Sequence, residues 1–161
     1  MKRRNFLKTL GGFVVAPVAV GQALADTNKT SMPSKLSLSD AEWKKRLTPD
    51  QYHILREEGT ERPGASPLNN EKRKGAYHCV GCDNPLFTSE MKYDSGTGWP
   101  SFYTTIDGAF GTKVDFKLIL PRTEYHCSRC GGHHGHVFKD GPKPTGLRYC
   151  NNGIALKFIP A

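Results

Sequence analysis

The sequence predicts an α+β domain, mainly β, with its strands in an antiparallel sheet or barrel-like sandwich. Three observations carry this. Helix signals are confined to the stretch from Ser39 to Gly59. From about Gly75 onward, short apolar or alternating runs are divided by Gly, Pro and Asp, the texture of an antiparallel fold. Two Cys-x-x-Cys pairs, Cys79/Cys82 and Cys127/Cys130, can clip distant strands together through a metal. With 161 residues the chain suits one domain of modest core, where such a clip adds useful stability.

The first 25 residues read as an export signal preceding the fold. Lys2-Arg3-Arg4 gives a basic start, Leu10 to Val20 an apolar run too short to span a bilayer comfortably, and Ala23-Leu24-Ala25 a processing site. Arg3-Arg4-Asn5-Phe6-Leu7-Lys8 resembles a twin-arginine signal, so the expected destination is the periplasm, with no stable membrane span in the mature protein. Residues 26–37 are polar and contain Pro33, a flexible leader. Residues 38–161 form the domain.

Within it, Ser39-Asp40-Ala41-Glu42 opens a short helix. Thr48-Pro49-Asp50 is an N-cap with Pro at the first helical position, starting a second helix that runs to about Glu58 and is ended by Gly59. Gly, Pro and Asn between Pro63 and Asn70 mark a loop. Strands are expected at Tyr77–Val80, Pro100–Tyr103, Val114–Leu120, Thr123–His126, Gly135–Phe138, Leu147–Cys150 and Ile154–Ile159.

The formal net charge of +8 suggests an acidic partner, but residues 1–25 hold four of the cations and no acid, so the balance without them is +4. No basic stripe remains, and no nucleic-acid partner is expected.

The two knuckles are flanked or interrupted by turn residues: Gly81, Asp83, Asn84 and Pro85 in one, Gly131 and Gly132 in the other. Such turns aim two thiolates at one point, and two of them complete a closed tetrahedral zinc site, the structural kind. Two disulfides, or a dithiol redox centre, are the competing readings.

Four ligands leave Cys150 over. A lone cysteine is commonly a buried structural thiol, but Arg148, two residues before it on a strand, would share its face and lower its pKa. Asn152, two residues after, would share that face and donate hydrogen bonds. His133 and His136, beside glycines, suit proton donors near a reactive thiol; extra zinc ligands or exposed side chains are the alternatives. Trp99, set by Gly96 and Gly98 before Pro100, is either a core residue or an apolar wall beside the thiol.

Taken together, the paired knuckles, Gly98-Trp99-Pro100-Ser101-Phe102, His133-x-Gly135-His136-Val137-Phe138 and Arg148-Tyr149-Cys150-x-Asn152 resemble the type B methionine-R-sulfoxide reductases in their zinc-containing form. The likeness covers about residues 38–160. It implies two antiparallel sheets in a barrel-like arrangement with short N-terminal helices. It implies Cys150 as nucleophile, Trp99 as a wall for the substrate methyl group with Phe138 also substrate-binding, His133, His136 and Asn152 at the sulfoxide oxygen, and Arg148 as support for the thiolate. The implied substrates are oxidised proteins or peptides containing methionine-R-sulfoxide, reduced by a protein expected to be a monomer. Many members carry a resolving cysteine where this chain has Thr97. Every other cysteine is committed to zinc, so recycling is expected from an external thioredoxin-like or small-thiol reductant. A zinc-ribbon nucleic-acid module explains the knuckles but not Cys150; a cysteine hydrolase explains Cys150 and His136 but not the zinc or Trp99.

Overall fold

A computed structural model describes residues 34–161. The segment read as an export signal, residues 1–25, and the leader up to residue 33 lie outside the described residues. Among the described residues two short α-helices come first, α1 (Asp40–Arg46) and α2 (Pro49–Glu57). Each opens with a capping box: Ser39 with Glu42, and Thr48 with Gln51 at 3.2 and 3.1 Å. The α2 terminus differs slightly from expectation. Glu58 itself takes the left-handed conformation at φ 55°, and the backbone of Gly59 lies so close to the His53 ring that a Cβ there would sit 2.4 Å away.

Nine strands follow: β1 (Gly75–Cys79), β2 (Pro85–Thr88), β3 (Lys92–Tyr93), β4 (Ser101–Phe102), β5 (Phe110–Asp115), β6 (Arg122–Cys127), β7 (His133–Phe138), β8 (Arg148–Asn151) and β9 (Leu156–Pro160). They form two antiparallel sheets, ordered β2-β1-β9 and β3-β4-β8-β7-β6-β5. The mainly β, two-sheet architecture is the one expected. The core is an aromatic layer between the sheets. Phe87 of β2 stacks on Phe102 of β4 at 3.9 Å, and Tyr77 of β1 meets the same ring edge-on at 5.0 Å. Phe110, Tyr125 and Tyr149 extend the layer across the larger sheet.

The expected strand at Val114–Leu120 is displaced toward the N-terminus. The strand is Phe110–Asp115, and residues 116–121 form the hairpin tip instead. Asp115 Oδ1 accepts the N–H of Lys117 at 2.8 Å, an Asx-type turn that ends pairing, and Pro121 has no N–H to resume it. In this apolar run Phe116, Leu118, Ile119 and Leu120 are exposed.

Candidate active site

Strand alternation decides which side chains meet. On β8, Tyr149 enters the aromatic core, so Arg148 and Cys150 point to the other face. The register pairs Cys150 with Ser101 of β4 on one side and with His136 of β7 on the other, and His136 with Glu124 of β6. One cross-strand row therefore holds Ser101, Cys150, His136 and Glu124. His133 and His136 are three residues apart and would face opposite sides of a regular strand. A bulge corrects this: Tyr125 pairs with Gly135 but His126 with His133, leaving His134 as the extra residue. His133 thereby joins the reactive face, its ring 5.5 Å from that of His136. His134 turns into the core, where burial pushes its pKa down to about 4 and keeps it neutral.

A cavity of about 130 Å³ lies above the row, lined by Trp99, Phe138, His136, Cys150 and Asn152, with Thr60, Arg122 and Gly135. Gly135 lets β7 and β8 approach closely at the cavity's floor, because a Cβ there would sit 2.0 Å from the carbonyl oxygen of Cys150. Trp99 is held from behind, its indole N–H donating to Glu61 O at 3.1 Å. Glu61 is the hub of this wall. Its carboxylate accepts the N–H groups of Gly153 and Ile154 at 2.6 and 3.1 Å, and its own N–H donates to Asn152 Oδ1 at 3.0 Å. Asn152 in turn donates from Nδ2 to His134 O at 3.0 Å. Its amide thus ties the Glu61 loop to the bulge and keeps one N–H in reserve.

Each histidine is oriented by a carboxylate. His133 Nδ1 donates to Glu124 Oε1 at 2.8 Å, leaving its buried Nε2 without a protein partner. His136 Nε2 lies 2.7 Å from Asp115 Oδ2, and Asp115 also pairs with Arg122 at 2.6 Å. Burial lowers the pKa of His136, against the upward pull of Asp115. Asp115 is held well below the usual carboxylate range by the Lys117 N–H, with His136 and Arg122 adding to it.

Arg148 stands outside the cavity wall. It forms a bidentate pair with Asp140 at 2.9 and 2.8 Å and lies 4.3 Å over the Phe138 ring. Burial raises the Cys150 thiol above its ordinary value; Arg148 and a hydrogen bond from Thr97 oppose this, and Asp140 reinforces it. Arg148 acts on the thiol in the direction of the thiolate, but burial outweighs it. Thr97, at the position where many family members carry a resolving cysteine, is thus among the side chains that favour the Cys150 thiolate.

The other four cysteines converge elsewhere. Cys79 and Cys82 flank the β1–β2 turn, Cys127 and Cys130 the β6–β7 turn, all buried. In each knuckle the residue after the second cysteine is left-handed, Asp83 at φ 57° and Gly131 at φ 69°, and its N–H returns to the first cysteine's carbonyl at 2.8 Å. Cys79 and Cys130 sulfurs are 3.7 Å apart and Cys82 and Cys127 sulfurs 3.6 Å, with all four atoms within 4.8 Å of one another. Thiolates ~2.3 Å from a tetrahedral zinc stand about 3.8 Å apart, whereas a disulfide needs about 2 Å. The four form a possible metal site, and the donor set fits zinc.

The structure thus brings Cys150, His136, Asn152, Trp99 and Phe138 to one cavity and sets His133 and Arg148 just behind it. Sequence reasoning missed Glu61, Asp115, Glu124, Asp140 and Arg122. Asp115, Glu124 and Arg122 act through cross-strand register, which no local spacing reveals, while Asp140 reaches Arg148 from the loop after β7.

A family model described as the SelR domain matches residues 47–160. The chain is 54% identical over 127 residues to the peptide methionine sulfoxide reductase MsrB of Agrobacterium fabrum, covering 78% of this chain and 94% of that one. It is 49% identical over 153 residues to the mitochondrial methionine-R-sulfoxide reductase B2 of Rattus norvegicus, covering 88% and 85%. It is 57% identical over 122 residues to the chloroplastic peptide methionine sulfoxide reductase B1 of Arabidopsis thaliana, covering 75% of this chain and 60% of the plant protein.

Proposed function

The chain belongs to the SelR-domain, MsrB family, and from that premise we propose how it acts as a methionine-R-sulfoxide reductase: Cys150 is the nucleophile, and the row beside it handles the oxygen. The carrying observation is the juxtaposition of Cys150 with the carboxylate-held His136 across one cavity bounded by Trp99 and Phe138.

The substrate sulfur is electrophilic because its S–O bond is polar. The Cys150 thiolate attacks that sulfur, and the S–O bond breaks as charge moves onto oxygen. His136, with His133 beside it, supplies the proton that this oxygen requires. The free N–H of Asn152 is available to the same charge. The released oxygen returns as water to the Cys150 sulfur, and the bond between Cys150 and the substrate sulfur breaks with its electron pair on methionine; the sulfoxide has gained two electrons, and Cys150 has lost two and is left as a sulfenic acid. An external thiol then attacks the sulfenic sulfur and water leaves. A second thiol resolves the mixed disulfide and frees Cys150. Thr97 cannot form that bridge.

Cys79, Cys82, Cys127 and Cys130 would hold a zinc ion whose role is structural, since four thiolates leave no open position. Among the described residues no helix is long and apolar enough to cross a membrane. The basic, apolar and Ala-x-Ala layout of residues 1–25 supports export to the periplasm; there the protein would act as a monomer recycled by a thioredoxin-like or small-thiol donor.

The test is an assay on the two separated epimers of a sulfoxide-containing peptide with a dithiol. Turnover of the R epimer alone is expected, and none by Cys150→Ser with fold and metal retained. One turnover without reductant should add one oxygen to Cys150 by intact mass. Equal reduction of both epimers, or turnover by Cys150→Ser, would overturn the reading.

A further inference from the structure

The tip of the β5–β6 hairpin exposes an unusual run of large apolar residues. Phe116 is 76% exposed, Leu118 57%, Ile119 103% and Leu120 76%. Contiguous exposed apolar surface on a small domain commonly marks a binding site. Here Leu118, Ile119, Leu120 and Pro121 join Val137 and Phe138 along a groove of about 680 Å³. Phe138 and Arg122 line both this groove and the cavity over Cys150. The two share these side chains as a common wall.

We infer that this groove docks the apolar residues flanking methionine-R-sulfoxide in a polypeptide substrate. The inference rests on the reductase reading above. A cavity of about 130 Å³ accepts the end of one side chain, so the substrate's main chain must stay at its mouth. An extended chain advances about 3.3–3.6 Å per residue, so the next few residues on one side must cross the surface beside Phe138. Methionine usually sits among apolar neighbours, and its oxidation to a polar sulfoxide disrupts that packing. Segments bearing the sulfoxide therefore arrive with unburied apolar side chains. The local charges point the same way. Arg122, the cation that lines the groove, pairs with Asp115, and Lys113 and Lys117 both pair with Glu58. That suits an uncharged apolar segment better than an anionic lipid surface or an acidic partner.

The experiment compares three R-sulfoxide substrates: a peptide with Leu and Phe flanking the sulfoxide, the same peptide with Ser and Gly there, and N-acetyl-methionine-R-sulfoxide amide. Each is measured on the full protein and on the double variant Ile119→Ser, Leu120→Ser, with reductant KM and sedimentation recorded. The wild-type protein should prefer the apolar peptide in kcat/KM by about tenfold, the scale of burying one aliphatic side chain in part. The preference should lie mostly in KM. The double variant should lose it while reducing the small amide normally. No preference in the wild type would overturn the inference, as would an equal loss on all three substrates. A preserved preference with a shifted reductant KM, or with loss of a dimer, would assign the groove to the reductant or to a second copy instead. Absence of turnover on the small amide would overturn the reductase reading, and this inference with it.

Discussion

Cys150 and His136 face each other across two strands, and burial works against both charges the reaction needs. It raises the thiol and lowers the imidazolium, so the thiolate grows in above the thiol's ordinary range while the acid form is lost below its own. Arg148 and Asp115 are among the neighbours that oppose burial, and each gives a prediction. Arg148→Gln should move the thiol further up, because a nearby cation favours the thiolate. The pH profile of alkylation at Cys150, followed by peptide mass, should shift to higher pH; an unchanged profile would remove Arg148 from this role. Asp115→Asn should lower His136, because the carboxylate hydrogen bond favours the imidazolium. A group that must be protonated loses its contribution as pH rises through its pKa. The descending limb of the single-turnover rate should therefore move to lower pH. His136→Ala should remove that limb and slow the chemical step by about a hundredfold or more, the usual scale of general-acid help. Single-turnover rates that match the wild type would exclude His136 as the acid.

At the scale of strands, the site depends on how closely β7 and β8 approach. A Cβ on Gly135 would sit 2.0 Å from Cys150 O and 3.1 Å from its carbonyl carbon, neither of which can yield without parting the strands. Gly135→Ala should destabilise the domain by ~1–3 kcal/mol, the range for forced overpacking, and lower activity at temperatures where it remains folded. Denaturation midpoints and kcat/KM measured together test this; a wild-type midpoint would mean the strands are not in contact there. The same contacts explain what the sequence could reveal. Caps, knuckles and most strands are local patterns, and Thr48-Pro49 and both Cys-x-x-Cys turns were legible as such. The strand β2 was hidden because Asn84 and Pro85 read only as a turn. The hairpin tip was misread because exposure, unlike hydrophobicity, is not local. Cys150, His133 and His136 were recognisable by residue type and motif. Their carboxylate partners were not: Asp115 reaches His136 across 21 residues, and Glu124 reaches His133 only through the bulge at His134.

At the scale of the molecule, the cysteine cluster joins the two sheets. Cys79 and Cys82 belong to the β1–β2 turn of the smaller sheet, Cys127 and Cys130 to the β6–β7 turn of the larger. The N-terminal helices close over both turns. Leu55 lies against Gly81 and Gly132, Trp43 against Gly81, while Arg46 and Arg56 donate to the carbonyls of Gly81 and Cys130. His133 begins β7 two residues after Gly131, so the second knuckle also sets where the catalytic bulge starts. A zinc ion here couples sheet docking, helix docking and the histidine geometry, and zinc of this kind contributes ~10 kcal/mol or more to folding. Cys82→Ser should therefore release the metal and unfold the chain cooperatively. The wild-type protein offers a sharper test. Cys79 and Cys127 are 0% exposed, Cys82 3% and Cys130 8%, so a chelator has little direct access to the sulfurs. Metal should leave only after the sheets part. Its release, followed with a chromogenic chelator, should reach a rate independent of chelator concentration, and that rate should equal global unfolding measured by near-ultraviolet ellipticity. Activity should decay on the same curve, although Cys150 is not a ligand. A release rate that keeps climbing with chelator, while ellipticity and activity persist, would show a cluster open to solvent and uncoupled from the fold.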